Sequence, residues 1–217
     1  MSQVPPFTGA RNPLSLPDSV DLIDRKTVFQ GYFRIDRFKL RHRRFDGTWS
    51  ETFNRELFER GHAAAVLLYD PVRDAVTLTE QFRPGALSAG WHPWLIEIVA
   101  GIIDAGENAE STAIREAREE AGAEIGELVK IADVLASPGG SSETIRIFCA
   151  RVDSGQLGGI HGLADESEDI RVFSVPTDEA IAWLGTGRIN NATTMLAIQW
   201  LALNRDTLRK RWNTSEK

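Results

Sequence analysis

The chain has 217 residues, of which 42% are hydrophobic and 26% charged, with a single cysteine. These are globular proportions on a chain long enough for an unaided core, which excludes wholesale disorder, an internal disulfide and a cysteine-built zinc site. The formal charge of −6 argues against a broad nucleic-acid surface, and no apolar run approaches the ~20 residues of a membrane span.

Residues 1–20 are Pro-rich and polar and read as a loose lead-in. They lack a basic region followed by an apolar core, so a secretory signal is not expected and the cytoplasm is the expected compartment. Val28 to Leu40 is a mixed apolar and basic segment, Asp46-Gly47 marks a tight turn, and Trp49 to Phe53 reads as the returning partner strand. This predicts a small antiparallel β domain over residues 1–60. Its basic stretch (Arg37, Lys39, Arg41, His42, Arg43, Arg44) has little aromatic interleaving, so nucleic acid is not an expected partner.

Residues 61–217 read as the second domain. Ala63–Tyr69, Ala75–Phe82 and Trp94–Ala100 are expected strands, followed after one helix by Leu128–Leu135, Ile145–Val152 and Ile170–Val175. Cys149 falls inside a strand and reads as a buried small apolar residue. Thr177 or Asp178 caps a short helix to Leu184, and Asn191 opens a longer one to about Arg211. The predicted class is α/β or α+β.

Charge is concentrated rather than spread. Eight acids and two bases lie between Glu97 and Glu124, and 8 − 2 equals the excess of the whole chain. The helix between them runs from Glu107 to a stop at Gly122, with Glu107 and Glu110 in the first turn where the dipole favours anions. Glu116, Glu119 and Glu120 stand at i, i+3 and i+4, so three like charges share one face, offset in part by Arg115 four residues before Glu119. An acidic helix face is ordinarily solvated surface; the alternative is a hard-cation site, because carboxylates at this spacing suit Mg²⁺ or Mn²⁺. A second knot, Asp165, Glu166, Glu168 and Asp169, lies in a loop before the strand at Ile170.

The wider frame separates the two readings. GIIDAGENAESTAIREAREEAGA, from Gly101, carries Gly101, Glu107, Arg115, Glu116, Glu119, Glu120 and Gly122 in unbroken register. This resembles the Nudix box of the Nudix hydrolases, with Ala117 and Ala123 at its softer apolar positions, the latter smaller than usual. From about Gln30 to Trp200 the chain resembles the bacterial ADP-ribose pyrophosphatases of that family. The matching stretches are RELFERGHAA, EQFR, PWLIEIVAG, LASPGGSSE, GIHGLADESEDIRV and INNATTMLAIQWL. The resemblance implies a mixed β-sheet sandwiched between helices, with a small N-terminal antiparallel sheet domain exchanged across a homodimer.

It also implies a chemistry: Mg²⁺-dependent hydrolysis of the diphosphate of ADP-ribose to AMP and ribose 5-phosphate, with Mn²⁺ a possible substitute. Glu116, Glu120 and Glu168 are the implied metal ligands together with the backbone carbonyl of Ala100. Glu119 serves either Arg115 or a metal-associated water. Glu166 is the implied general base. Arg83 is implied to grip phosphate, and Tyr32, Phe33, Arg55, Glu56, Arg60, Ile102, Ser137, Gly139 and Glu143 to contact substrate. His161 reads as a structural hydrogen-bonding residue. The alternatives are a pyrophosphatase for another nucleoside diphosphate sugar, such as GDP-mannose, and a non-catalytic ADP-ribose sensor, which would need damaged carboxylates or an attached DNA-binding domain.

Overall fold

The computed structural model describes residues 17–163 and 168–213. The chain forms two compact units, one comprising the residues up to His62 plus Leu135–Thr144, the other Ala63–Val134 and the residues from Ile145 onward.

The first unit is a three-stranded antiparallel sheet of β1 (Val20–Gln30), β2 (Arg34–His42) and β3 (Phe53–Glu59), in that order. The stretch Val28–Leu40 is therefore not one strand. The chain reverses within it at Gly31–Phe33, where the Gly31 N–H donates to the Phe33 carbonyl at 2.9 Å. Trp49 makes only an isolated bridge to Arg43, and the returning strand begins at Phe53. Asp46 holds the intervening turn by accepting from the Thr48 N–H and hydroxyl, while Trp49 lies under the guanidinium groups of Arg41 and Arg43. On β2, Arg34, Asp36 and Phe38 alternate onto the buried face. Asp36 is fully buried there, and Arg25 and the Thr27 hydroxyl bond its carboxylate. Burial opposes that charge, but these bonds outweigh it and hold the group below the usual carboxylate range.

Leu135–Thr144 belongs to this unit through bonds to the end of β3. The Phe58 N–H donates to the Gly140 carbonyl at 2.8 Å and the Ser142 hydroxyl donates to Glu59 at 2.6 Å. The Thr144 hydroxyl meets His62 Nδ1 at 2.8 Å.

The second unit is built on a mixed sheet. Its strands are β4 (Ala63–Asp70), β5 (Ala75–Phe82), β6 (Trp94–Glu97), β7 (Val99–Ile102), β8 (Leu128–Leu135), β9 (Thr144–Arg151), β10 (Gly159–His161) and β11 (Ile170–Pro176). The main path runs β10-β11-β5-β4-β9-β8, with β6 paired to β5 and β7 to β4. β4 pairs parallel with β9 and antiparallel with β5 and β7. The expected single strand Trp94–Ala100 is thus two, broken at Ile98.

Helices α1 (Pro84–Ser88), α2 (Ala109–Ala121), α3 (Thr177–Thr186) and α4 (Ala192–Asn213) complete the unit. The alternation of β4 makes it a sandwich. Ala65, Leu67 and Tyr69 face a core with Trp183, Ile198, Leu201 and Trp212 of α3 and α4. Ala64, Val66 and Leu68 face the opposite core with α2. That helix presents Ala109, Ala113, Ala117 and Ala121 at four-residue spacing, all buried, so small side chains bring its backbone close to the sheet. Among the described residues, no helix is long and apolar enough to cross a membrane.

Candidate active site

Helix α2 begins with a capping box: Asn108 accepts from the Ser111 N–H at 2.8 Å, and the Ser111 hydroxyl accepts in return from the Asn108 N–H at 3.1 Å. It ends at Gly122, left-handed at φ 59°, with the Ala123 N–H closing onto the Ala117 carbonyl. A Cβ on Gly122 would also meet the His161 ring at 2.8 Å, so this glycine serves both the turn and a close approach. The expected structural role of His161 matches its bond to the Gly158 carbonyl at 2.9 Å.

With its ends fixed, α2 presents its acids in three different environments. Arg115 organises three acids of the signature. Its Nε and Nη2 hold both oxygens of Glu107 at 3.0 Å each, its Nη1 donates to Glu116 at 2.8 Å and Glu119 at 3.0 Å, and Nη2 reaches the Ile102 carbonyl at 3.2 Å. Glu107 also accepts from the Thr112 hydroxyl, and the Arg115 bonds foremost hold it at about 2. The Glu107–Arg115 pair is therefore architecture.

Glu116 and Glu120 differ. The Glu116 carboxylate lies directly over Gly101 of β7: a Cβ there would fall 1.7 Å from its Oε1. The first glycine of the signature is the cradle into which the carboxylate fits. Burial raises Glu116 above the usual range, against the pull of Arg115. Glu120 is 5% exposed, and its Oε2 accepts from the Ala100 N–H at 3.2 Å. Burial first, then the neighbouring Glu116 charge, push it up to about 8, opposed by the Ala100 bond and by Arg83. Glu168 adds its charge to both; it sits at the base of the β10–β11 connection, where the Leu163 N–H donates to it at 3.3 Å.

Arg83 caps the start of α1 and gives its Nε to Glu97 at 2.6 Å. Glu97, which the sequence reading did not single out, thus fixes the arginine whose charge Glu120 feels. The only advance signal was its place within EIVAG. Ala100 meets the acids through its N–H, which bonds Glu120. Among the described residues, no three His, Cys, Asp or Glu side chains converge at metal-holding distance; Arg115 draws Glu116 and Glu119 to itself. The donor set nevertheless fits a hard divalent cation: carboxylates crowded at a desolvated place with too little positive charge. The expected base, Glu166, lies outside the described residues.

The remaining candidates belong to the first unit. Tyr32 and Phe33 lie in the β1–β2 turn rather than alternating along a strand. Their rings meet edge-on at 4.6 Å, Phe33 packs on Phe58 at 5.0 Å, and Tyr32 is exposed. Arg60 lies over Phe33 and pairs with Glu143 at 3.4 Å, so these three expected residues come together. Arg55 turns onto Phe53 and bonds the Asn54 carbonyl, and it and Glu56 are exposed. Ser137 and Gly139 lie on an exposed turn closed by the Gly140 and Ser141 N–H groups onto the Ser137 carbonyl.

Comparison with known proteins agrees with this architecture. Residues 59–196 match the NUDIX domain model. The chain is 47% identical over 195 residues to the ADP-ribose pyrophosphatase of Escherichia coli (strain K12), covering 90% of this chain and 93% of that protein. It is 40% identical over 199 residues to the ADP-ribose pyrophosphatase of Haemophilus influenzae, covering 90% and 92% respectively. It is 33% identical over 181 residues to the GDP-mannose pyrophosphatase of Pectobacterium atrosepticum, covering 83% and 92%. A signature helix complete at every fixed position, on a sandwich that buries its alanine stripe and holds its carboxylates over β7, together with a family match across more than half of the chain, makes this protein a member of the Nudix family.

Proposed function

We propose that the protein is a hydrolase that splits the diphosphate of ADP-ribose with water, giving AMP and ribose 5-phosphate, in a Mg²⁺-dependent reaction for which Mn²⁺ can substitute. The observation that carries this reading is the pair of neighbouring carboxylates, Glu116 partly buried over Gly101 and Glu120 buried beside Ala100 with no cationic side chain bonded to it among the described residues. Identity to two ADP-ribose pyrophosphatases over nearly the whole chain supports the substrate.

Glu116, Glu120 and Glu168 would hold the cation, with the Ala100 backbone beside them. The chemistry such a cation supplies is neutralisation of the diphosphate and acidification of water. The chain's own groups do the rest. Glu166 takes the proton of the attacking water as general base. Arg83, already aimed by Glu97, binds a phosphate oxygen. Glu119 stays with Arg115 and keeps the helix face ordered. In the first unit, Tyr32 offers an exposed ring for stacking on the adenine, with Phe33 behind it. Arg55, Glu56, Arg60, Ile102, Ser137, Gly139 and Glu143 complete the substrate contacts. The first unit is exchanged across a homodimer, so that part of each site comes from the partner copy. A three-stranded sheet with Ile23, Val28, Phe29 and Tyr32 exposed supports such a partner, since small sheets need a covered face.

The test is a panel of ADP-ribose, GDP-mannose and other nucleoside diphosphate sugars with Mg²⁺, reading AMP or GMP release. AMP from ADP-ribose as the fastest reaction is the expected result. GMP from GDP-mannose as the fastest reaction would move the substrate to the second class of relatives. No release above buffer from any of them would end the enzymatic reading.

A further inference from the structure

The strand that delivers the site changes partner at a single residue. β6 pairs with β5 up to Glu97, β7 pairs with β4 from Val99, and Ile98 belongs to neither ladder. Its N–H is buried and needs an acceptor. That acceptor is the Thr194 hydroxyl at 3.0 Å, on a side chain from α4 that is itself fully buried. Two residues earlier, the Ile96 carbonyl accepts from Asn191 Nδ2 at 2.7 Å. The other end of the same amide, Asn191 Oδ1, accepts from the Thr194 N–H at 3.0 Å. Asn191 therefore bonds the first turn of α4 and grips the strand with one side chain, and Thr194 is held ready for Ile98.

Three site contacts hang on this crossing. One residue before it, Glu97 receives Arg83. Two residues after it, Ala100 donates to Glu120. Three residues after it, Gly101 leaves the space that Glu116 fills. A shift of one residue at the crossing would turn each of these to the wrong side of the strand.

We propose that Asn191 and Thr194 are positioning residues of the active site, locking the β6–β7 crossing so that Glu97, Ala100 and Gly101 stand opposite Arg83, Glu120 and Glu116. This rests on the reading of that carboxylate site as the reaction centre. It also gives a role to the INNATT stretch, which touches none of the acids directly.

Thr194→Val keeps shape and loses only the acceptor; Thr194→Ser restores it. Asn191→Asp keeps the bond to the Thr194 N–H and loses the donor to Ile96. Amide hydrogen exchange across Ile98–Gly101 should rise about tenfold in Thr194→Val, the factor implied by one lost buried hydrogen bond, with the β4 amides unchanged. On the full-length protein kcat should fall by about the same factor, the Mg²⁺ concentration for half-activity should rise, and KM for ADP-ribose should hold. Thr194→Ser should restore all of these, and Asn191→Asp should show the same pattern. Wild-type exchange at Ile98–Gly101 in folded Thr194→Val overturns the proposal, as does faster exchange with kcat and Mg²⁺ requirement unchanged. If Thr194→Val does not fold, the same criteria apply to Asn191→Asp. If the wild type hydrolyses no ADP-ribose, the substrate reading fails instead. The crossing is then judged by exchange and by Mg²⁺ binding measured calorimetrically, where unchanged values in both variants overturn it.

Discussion

Asp70 and Glu120 are equally hidden carboxylates with opposite circumstances. Asp70, 1% exposed, accepts from the Val72 and Arg73 N–H groups, the Arg73 guanidinium, and the Ser154 N–H and hydroxyl. Burial opposes its charge, yet these donors win and hold it at about 2. Glu120, 5% exposed, has the Ala100 N–H and a like-charged neighbour, and stands near 8. The first carboxylate closes a structure: it ties the β4–β5 turn to the segment after β9. The second is left short of positive charge, the condition a ligand can relieve. Burial alone does not distinguish a structural acid from a functional one; the donor count around it does.

Three substitutions and one titration can break or sharpen that contrast. Glu120→Gln should lower ADP-ribose turnover at fixed Mg²⁺ by more than about a hundredfold, beyond the 10–100-fold typical of groups that merely support a metal ligand. Its thermal midpoint without metal should not fall, because the amide is neutral and burial already favours the neutral form of Glu120. Steady-state kinetics and melting curves on one preparation decide both points. Asp70→Asn should do the reverse, costing about 3 kcal/mol in urea unfolding by breaking a buried charged network, while activity per folded molecule at 25 °C stays near normal.

The pH dependence follows from the Asp70 carboxylate. Its folded pKa is depressed below the ordinary 3.8 to about 2. The stability it contributes is therefore complete above about pH 4 and is lost as the pH falls toward 2, a change of roughly 2 kcal/mol. Urea unfolding between pH 5 and 2 should show this loss in the wild type and a correspondingly smaller one in Asp70→Asn. The smallest effect expected is from Asn108→Ala, which removes one half of the α2 capping box and should cost about 1 kcal/mol by the same measurement.

Legibility in the sequence followed the range of the forces involved. β5 and β8 occupy their expected bounds, and β4 runs one residue longer, because an apolar run against turn residues is a local signal. Helix α2 was legible in its stop at Gly122 but not in its start: it begins at Ala109 behind the Asn108 cap, so the expected first residue, Glu107, lies before the first turn and faces Arg115 instead. β1 was hidden because VDLIDRKTVFQ mixes charges into an edge strand with much of its length exposed. The break at Ile98 was not legible at all. WLIEIVAG reads as one strand, and the hydroxyl that accepts from the Ile98 N–H comes from Thr194, 96 positions away. The assignment of Leu135–Thr144 to the first unit was hidden for the same reason. At the site, Glu116, Glu119 and Glu120 could be read by spacing, but not the difference between them, which comes from Gly101, Ala100 and Arg115 in space.

Arg115 has a consequence for how the protein is made. Its guanidinium already holds Glu107, Glu116 and Glu119, so the chain supplies one cation of its own to three carboxylates of the signature. A nascent chain in a cation-poor medium can complete α2 and its sandwich and acquire metal afterwards, unlike small domains whose folding waits for their ion. Loading then adds positive charge beside Glu116 and Glu120 on a finished helix, and the chelated protein should be a folded, refillable reserve rather than a casualty.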